Sequence, residues 1–533
     1  MGIIATAVDY MIAAGMSAEA LIRAVADMEA AVDGPASAAR RRPRRTVRDE
    51  PSQSVTRDDS DAGDVPPNDI YSNPPSPLSS YEDRSPFSKN RISSEPQPAG
   101  DALRLSGYHR PTETEGGYRV KALKLPRALA LAAACAALHP LAAQAAPGQS
   151  WIRSWEAAPL EVSLPRPAPP PASQAEPASP PVPLTDLTFR MVARLSAGGS
   201  AIRLRLSNEI STEPLRLGAV HVALAGDDGA ILAGSDQAVT FEGNAAPVIP
   251  AGAPLLSDPV ALKVPPLAHV VVSIYVPGGA EHLTGHPLGM ATTHIGSGDQ
   301  TGAPAITGTT ATMRYILSGI DVSGSPATST IVTFGDSITD GALSTVDTDH
   351  RWPDILAERL RAAGKTSFAV ANAGISGNRL LATGAGPAAL ARFDRDVLSV
   401  PGVRYVVVLE GVNDIGFAKN SKTSPPLPKD LIGAYRQLIA RAHDRGVKVI
   451  GATVLPYKGA GYYSEEGDAV RQAVNDWIRA PGHFDGVIDF DRAVADKADP
   501  QMMAAAYDSG DKLHPGDAGY KAMAEAVDLA LFR

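Results

Sequence analysis

The chain has 533 residues, of which 44% are hydrophobic and 20% charged, and its formal net charge is −9. One hydrophobic core rarely grows beyond ~250–300 residues, so two or three domains are expected. The acidic balance gives no support to nucleic-acid binding through the chain as a whole, and a single cysteine, Cys135, excludes a disulfide framework.

Residues 3–32 carry two helical patterns, IATAVDYMIAAG and SAEALIRAVADMEAAV. Gly15 ends the first, and Ser17 is placed to cap the second. With the basic run ARRRPRR (Ala39 to Arg45) behind them, they permit a DNA-binding helix-turn-helix reading. Two short amphipathic helices without a partner are the plainer expectation. Residues 46–119 are rich in Ser, Pro, Asp and Arg without periodicity, the composition of a disordered segment.

Residues 120–145 have the order of a secretory signal: Lys121, Lys124 and Arg127, an Ala/Leu run, then Ala143-Gln144-Ala145 before Ala146. A membrane anchor fits less well. Ala128 to Ala145 is near the lower limit of ~17 residues for a span, and His139-Pro140 interrupts it. Acylation of Cys135 ranks lower still, because the apolar stretch before it is short. Cleavage near Ala145 implies a secreted or periplasmic protein with no thiol and no stable membrane anchor. No Met lies between Met28 and Met191. Translation from Val120, by a valine codon read as Met, would make residues 1–119 an upstream extension.

A β-rich domain is expected over 146–326. Trp151 to Pro159 reads as a first strand, and the proline-rich stretch at 164–183 as an extended spacer. AIRLRLSN (201–208) alternates Ile202, Leu204 and Leu206 against Arg203 and Arg205, as a half-buried strand should. LRLGAVHVAL (215–224), AVTF (238–241), HVVVSIYV (269–276) and MRYILSGIDV (313–322) follow. Gly, Pro and Asp punctuate these runs, which implies an antiparallel β-sandwich.

From 327 to 533 the period changes. TIVTF, SFAVAN, RYVVVLE, VKVIGATV and GVIDF alternate with helical stretches near 352–363, 387–398, 429–445, 465–479 and 517–531. That alternation means an α/β domain with a parallel sheet covered on both faces. Its functional loops leave the C-terminal ends of the strands.

Four short motifs fall in such loops: TFGDSITDG (Thr333 to Gly341), NAGISGNR (Asn372 to Arg379), EGVNDIG (Glu410 to Gly416) and DKLHPGDAGY (Asp511 to Tyr520). Ester hydrolysis needs a hydroxyl nucleophile, a base, a group to orient the base, and donors for the oxyanion. Ser337, His514 and Asp511 can supply the first three. The backbone N–H groups of Ser337 and Gly377, with the Asn413 amide, can supply the donors. Each motif alone suits an ordinary turn or helix flank, but their joint occurrence in this order does not. The G-x-S-x-G elbow of α/β-hydrolases is absent around Ser337.

The ordered set resembles the SGNH, or GDSL-type, hydrolase superfamily over residues ~329–533. The resemblance implies a flavodoxin-like three-layer α/β/α fold, no metal or organic cofactor, and Ser337 as nucleophile. It further implies His514 as general base, Asp511 as its partner, and Ser337, Gly377 and Asn413 as the oxyanion hole.

Other candidates are weaker. His282, His286 and His294 could be metal ligands only if a helix aligned them, and Gly285 and Pro287 oppose one. Asp336, Asp340, Asp347 and Asp349 read as loop solvation. Tyr457, Tyr462 and Tyr463 either line a pocket or cover an apolar edge.

A β-domain followed by a GDSL-type domain is similar to a bacterial secreted subgroup with acetylxylan-esterase-like members. The expected function is therefore a secreted serine esterase that deacetylates a carbohydrate, with a small ester or acylated carbohydrate as its partner and no nucleic acid. A lipolytic esterase or lysophospholipase is the alternative enzyme. A non-catalytic carbohydrate-binding protein, or a regulator binding DNA through residues 1–45, are the alternatives of other classes.

Overall fold

The computed structural model describes residues 150–162, 185–278, 282–325 and 327–533, all within the unit Arg119–Arg533. The N-terminal helical patterns, the signal-like run with Cys135, and the proline-rich stretch at 164–183 lie outside the described residues. No described helix is long and apolar enough to cross a membrane.

The α/β domain is built on five parallel strands: β1 (Ser329–Gly335), β2 (Phe368–Gly374), β3 (Val403–Leu409), β4 (Lys448–Ala452) and β5 (Gly486–Ile488). Their order across the sheet is β2-β1-β3-β4-β5, the doubly wound arrangement of flavodoxin-like folds. Ile331, Val332 and Phe334 in β1 and Val406 to Leu409 in β3 are all buried. A sheet covered on both faces has no solvated side, so its strands read as unbroken apolar runs.

The covering helices are α1 (Ser337–Asp340), α2 (Trp352–Ala362), α3 (Ala389–Phe393), α4 (Val412–Asn420), α5 (Pro428–His443), α6 (Glu465–Arg479), α7 (Phe490–Val494) and α8 (Asp517–Ala526). α2 and α7 pack against α8, whereas α5 packs between α3 and α6. These two helix groups enclose the sheet in three layers. A π-helical turn over Asp394–Leu398 extends α3. The final helical stretch stops at Ala526 and is followed only by a short 3₁₀ turn, Leu529–Leu531.

The β-rich domain is an antiparallel sandwich. One sheet orders Ser150–Glu156, Leu317–Gly324, Ile202–Ser207 and Pro254–Leu256. The facing sheet orders Thr309–Ala311, Thr293–Ser297, Leu187–Arg194, His269–Val276, Val220–Leu224 and Gln237–Ala238. Ile202, Leu204, Leu206, Ile320 and Val322 from the first meet Phe189, Met191, Val270, Val272 and Ile274 from the second in one core. A small third sheet joins Leu160–Val162, Leu283–His286 and Arg314–Tyr315.

Three expected strands are shorter than the sequence pattern implies. LRLGAVHVAL splits into Leu215–Arg216 and Val220–Leu224, and AVTF retains only its first residue, in Gln237–Ala238. MRYILSGIDV breaks at Ile316, whose φ of 64° cannot continue a strand.

The sandwich covers the open edge of the parallel sheet. Ser196 Oγ donates to the Val370 carbonyl at 2.8 Å and accepts the Val370 N–H at 2.9 Å. The Arg153 N–H donates to Thr330 Oγ1 at 3.1 Å. The edge N–H and carbonyl of Val370 on β2, which would otherwise be open to another chain, are thereby paired.

Candidate active site

Three strands deliver three of the four motifs to one end of the sheet, and the fourth arrives on the segment that leads into α8. Gly335, Gly374 and Leu409 are register partners, so the loops after β1, β2 and β3 leave at one level. Immediately after β1 the chain turns into α1. Asp336 caps it by accepting the Ile338 N–H at 3.0 Å, which leaves Ser337 at the first helical position.

Ser337, Asp511 and His514 meet although 174 residues of sequence (511 − 337) separate the first two. His514 Nε2 lies 2.8 Å from Ser337 Oγ, and its Nδ1 lies 2.6 Å from Asp511 Oδ2. A carboxylate only accepts, so the imidazole proton sits on Nδ1 and Nε2 is left to accept from the serine hydroxyl. Asp511 also accepts the N–H groups of Leu513 and His514 at 2.9 and 2.8 Å. Partial burial acts to raise its pKa, but the bonds from His514 and Leu513 outweigh it and hold the carboxyl below its ordinary value.

The three expected donors surround the same end. Among the described residues the N–H groups of Ser337 and Gly377 donate to no other group. Gly377 has φ 76°, an angle that a side chain would strain, and an added Cβ would press on Ala385. Asn413 sits in the first turn of α4 and is buried. One of its amide hydrogens is held by the Asn378 carbonyl at 2.9 Å, and the other remains for a ligand. Tyr462 Oη donates to Asn413 Oδ1 at 3.4 Å.

Beneath these groups lies a buried polar layer that sequence reading passed over. Arg392, inside α3, donates to the carbonyls of Gly335 and Ala373, to Asn378 Oδ1, and to Asp396 and Glu410. Its guanidinium also rests over the Phe334 ring at 4.0 Å. The available signal was periodicity: Ala389, Phe393 and Val397 mark the apolar stripe of this segment, and Arg392 and Asp396 fall beside it at helical spacing.

Two of the acidic quartet near Ser337, Asp336 and Asp340, do not serve loop solvation. Asp336 and Asp340 are buried, and burial pushes the Asp336 carboxyl up to about 7. Asp340 Oδ1 faces His286 Nε2 at 2.8 Å, and its Oδ2 accepts the Ser376 N–H at 2.9 Å. Asp347 accepts from Thr292, and Asp349 pairs with His269. Each of the four carboxylates thus has a protein partner, but Asp347 is exposed and Asp349 half-buried.

The three histidines go to different places. His282 meets Glu161 at the surface, His286 is buried against Asp340, and His294 lies beside Gly229. The tyrosines also divide. Tyr457 is fully buried in the core, and Tyr462 closes over Gly416 and backs Asn413.

A cleft of about 470 Å³ opens next to this end of the sheet. Leu160, Ile210 and Leu288 of the β-domain form one side of it, and Ser376, Ala385 and Pro387 form the other.

Residues 333–522 match the GDSL-like Lipase/Acylhydrolase family. This segment is a GDSL-like acylhydrolase domain. Similar solved structures include a GDSL-like lipase from Bacteroides thetaiotaomicron, 23% identical over 38% of this chain and 87% of that one, with a TM-score of 0.29. Another is an acetyl xylan esterase from Geobacillus stearothermophilus, 20% identical over 38% of this chain and 94% of that one, with a TM-score of 0.30. Comparison with curated proteins finds no match. The acylhydrolase domain therefore contains all four motifs, and the segment before residue 333 lies outside the family match.

Proposed function

We propose that this chain is an exported serine esterase that works through an acyl-enzyme on Ser337 and removes small acyl groups, acetyl foremost, from a carbohydrate. The observation that carries the esterase reading is the hydrogen-bonded chain from Ser337 Oγ through His514 to Asp511, at 2.8 and 2.6 Å.

In this reading His514 Nε2 takes the Ser337 proton as Oγ bonds to the ester carbonyl carbon. The carbonyl π electrons move to oxygen, where the Ser337 and Gly377 N–H groups and the free Asn413 amide hydrogen receive the charge. The imidazolium then protonates the departing alkoxide as the ester C–O bond breaks, leaving the acyl group on Ser337. Water repeats the sequence, giving its proton to His514 and releasing the carboxylic acid. Asp511 holds the imidazole tautomer and offsets the positive charge on the ring.

The order of β-domain and GDSL-type domain, similar to the acetylxylan-esterase-like subgroup, supports the carbohydrate ester. The apolar cleft walls at Leu160, Ile210 and Leu288 support a second reading, a lipolytic esterase with longer acyl groups. Intact Ser337, His514 and Asp511 count against a purely binding protein. The signal-like run at 120–145 supports export.

A panel of p-nitrophenyl esters from C2 to C16, run beside acetylated xylan, tests the substrate. Peak activity at C2 with acetate released from xylan fits the first reading. Peak activity at C12–C16 with no deacetylation replaces it with the second. The Ser337→Ala protein should lose about 10⁴–10⁶-fold in turnover while keeping its melting temperature; full activity there rejects the mechanism.

A further inference from the structure

His286 belongs to the β-domain, at the end of the Leu283–His286 strand, yet it reaches into the acylhydrolase domain. Both ring nitrogens are engaged. Nδ1 lies 2.9 Å from the Ala158 carbonyl oxygen, and Nε2 lies 2.8 Å from Asp340 Oδ1. A carbonyl oxygen and a carboxylate both accept only, so a proton is required on each nitrogen and the ring is an imidazolium. The whole residue is 3% exposed, as is Asp340, so the pair is shielded from water.

Asp340 ends the helix that begins with Ser337. Its other carboxylate oxygen accepts the N–H of Ser376, which immediately precedes Gly377. Helix α1 and this loop touch closely, because Gly374 packs against the Asp340 backbone where an added Cβ would clash. Three pieces of chain thus converge on one carboxylate: a β-domain strand, the helix carrying the nucleophile, and the loop carrying a proposed oxyanion donor.

We propose that His286 is a positioning residue, a buried imidazolium that fixes Asp340 and through it the spacing of Ser337 and Gly377, so that the β-domain is a working part of the esterase site. The inference rests on the roles given above to Ser337 and Gly377. It adds that a residue from outside the acylhydrolase domain sets their geometry. A misplacement of about 1 Å at such a site can cost about 10²-fold in rate.

Four charged groups share a small cavity with His286. Asp340 approaches from α1, Glu156 from the strand Ser150–Glu156, Arg314 from Arg314–Tyr315, and Arg351 from the cap of α2. Burial lowers the histidine pKa, but the Asp340 carboxylate beside it more than compensates and the net direction is upward. As pH rises through that raised pKa, one of the two hydrogen bonds must be lost, and turnover falls with it.

Two measurements test the clamp. Turnover of His286→Ala should drop about 10- to 100-fold with KM within about threefold of the parent. His286→Gln, which can still donate to Asp340, should recover part of that loss and lack the alkaline limb of the parent profile. The second readout is independent of activity: ¹⁵N shifts of His286 in the Ser337→Ala protein should show both ring nitrogens protonated at pH 7. The clamp is overturned if one nitrogen is bare at pH 7, or if both His286 variants keep kcat within about twofold. Full activity in Ser337→Ala would instead remove the esterase reading, while the ¹⁵N shifts would still report on the His286–Asp340 pair.

Discussion

Arg392 Nη2 donates to the Gly335 carbonyl at 2.9 Å, two residues before Ser337. The same guanidinium holds the Ala373 carbonyl at 2.7 Å and Asn378 Oδ1 at 2.8 Å. One buried cation therefore ties together the ends of β1 and β2 and the loop that carries Gly377. Fork geometry makes this possible, since five N–H donors in a plane can face several acceptors at once.

Replacing Arg392 should be costly in both stability and rate. Arg392→Met would strip Glu410 of its ion-pair partner and leave Asp396 to Arg395 alone, a loss of up to about 3–5 kcal/mol in chemical unfolding. Arg392→Lys keeps the charge but loses the fork, and should still lower kcat by about tenfold or more. Near-parental values of both quantities for the lysine variant would show that charge alone suffices.

Asp511→Asn should reduce kcat by about 10²–10⁴-fold, because an amide can hold the wrong imidazole tautomer. The carboxyl is depressed below its ordinary value, so it stays charged through the pH range where a free aspartate titrates. Its support of His514 is present above the unfolded pKa of about 3.9 and is lost as pH falls through the lower folded value. An acid limb in kcat that tracks Asp511 should consequently lie below about pH 4, and a pH–rate profile of the parent and the asparagine variant checks this.

Asn413→Ala removes one of the proposed oxyanion donors and should cost about 10²–10³-fold in kcat with little change in KM. Tyr462→Phe removes only the hydroxyl that meets Asn413 Oδ1 and should cost less than about tenfold. Steady-state kinetics on one short-chain ester compare the two. A larger loss for the phenylalanine variant would shift the donor role away from Asn413.

Asp336 offers a stability test. Burial raises its carboxyl to about 7, against about 3.9 in the unfolded chain. A raised folded pKa gives stability that is fully present below the unfolded value and is lost as pH climbs through the folded one. Asp336→Asn, which can still accept the Ile338 N–H, should remove that loss. Urea unfolding should show the variant on the order of 1–3 kcal/mol more stable than the parent at pH 8, with little advantage at pH 4.

The parallel strands are legible because burial on both faces leaves continuous apolar runs such as RYVVVL and TIVTF. Helix α4 was hidden by its own composition. VNDIGFAKN contains Asn, Asp and Gly, poor helix formers, and Asn413-Asp414 reads equally well as a turn. In the structure Asp414 accepts the N–H groups of Leu380 and Leu381 from the neighbouring loop, at 2.6 and 2.9 Å. That support is long-range and has no local sequence signal. Ile316 is a similar case, since a β-branched residue at positive φ breaks a strand that its pattern would continue.

By itself the sequence determined the alternation of strand and helix, and with it the loops that hold Ser337, Gly377, Asn413, Asp511 and His514. Periodicity and turn chemistry are local, so they survive reading along the chain. Only the tertiary structure decided which neighbours those residues meet. His286 looked like one of three scattered histidines, and Asp340 like a solvated loop acid. Packing of the β-domain against α1 removes water from both, and a buried carboxylate needs a donor that no nearby stretch of sequence supplies.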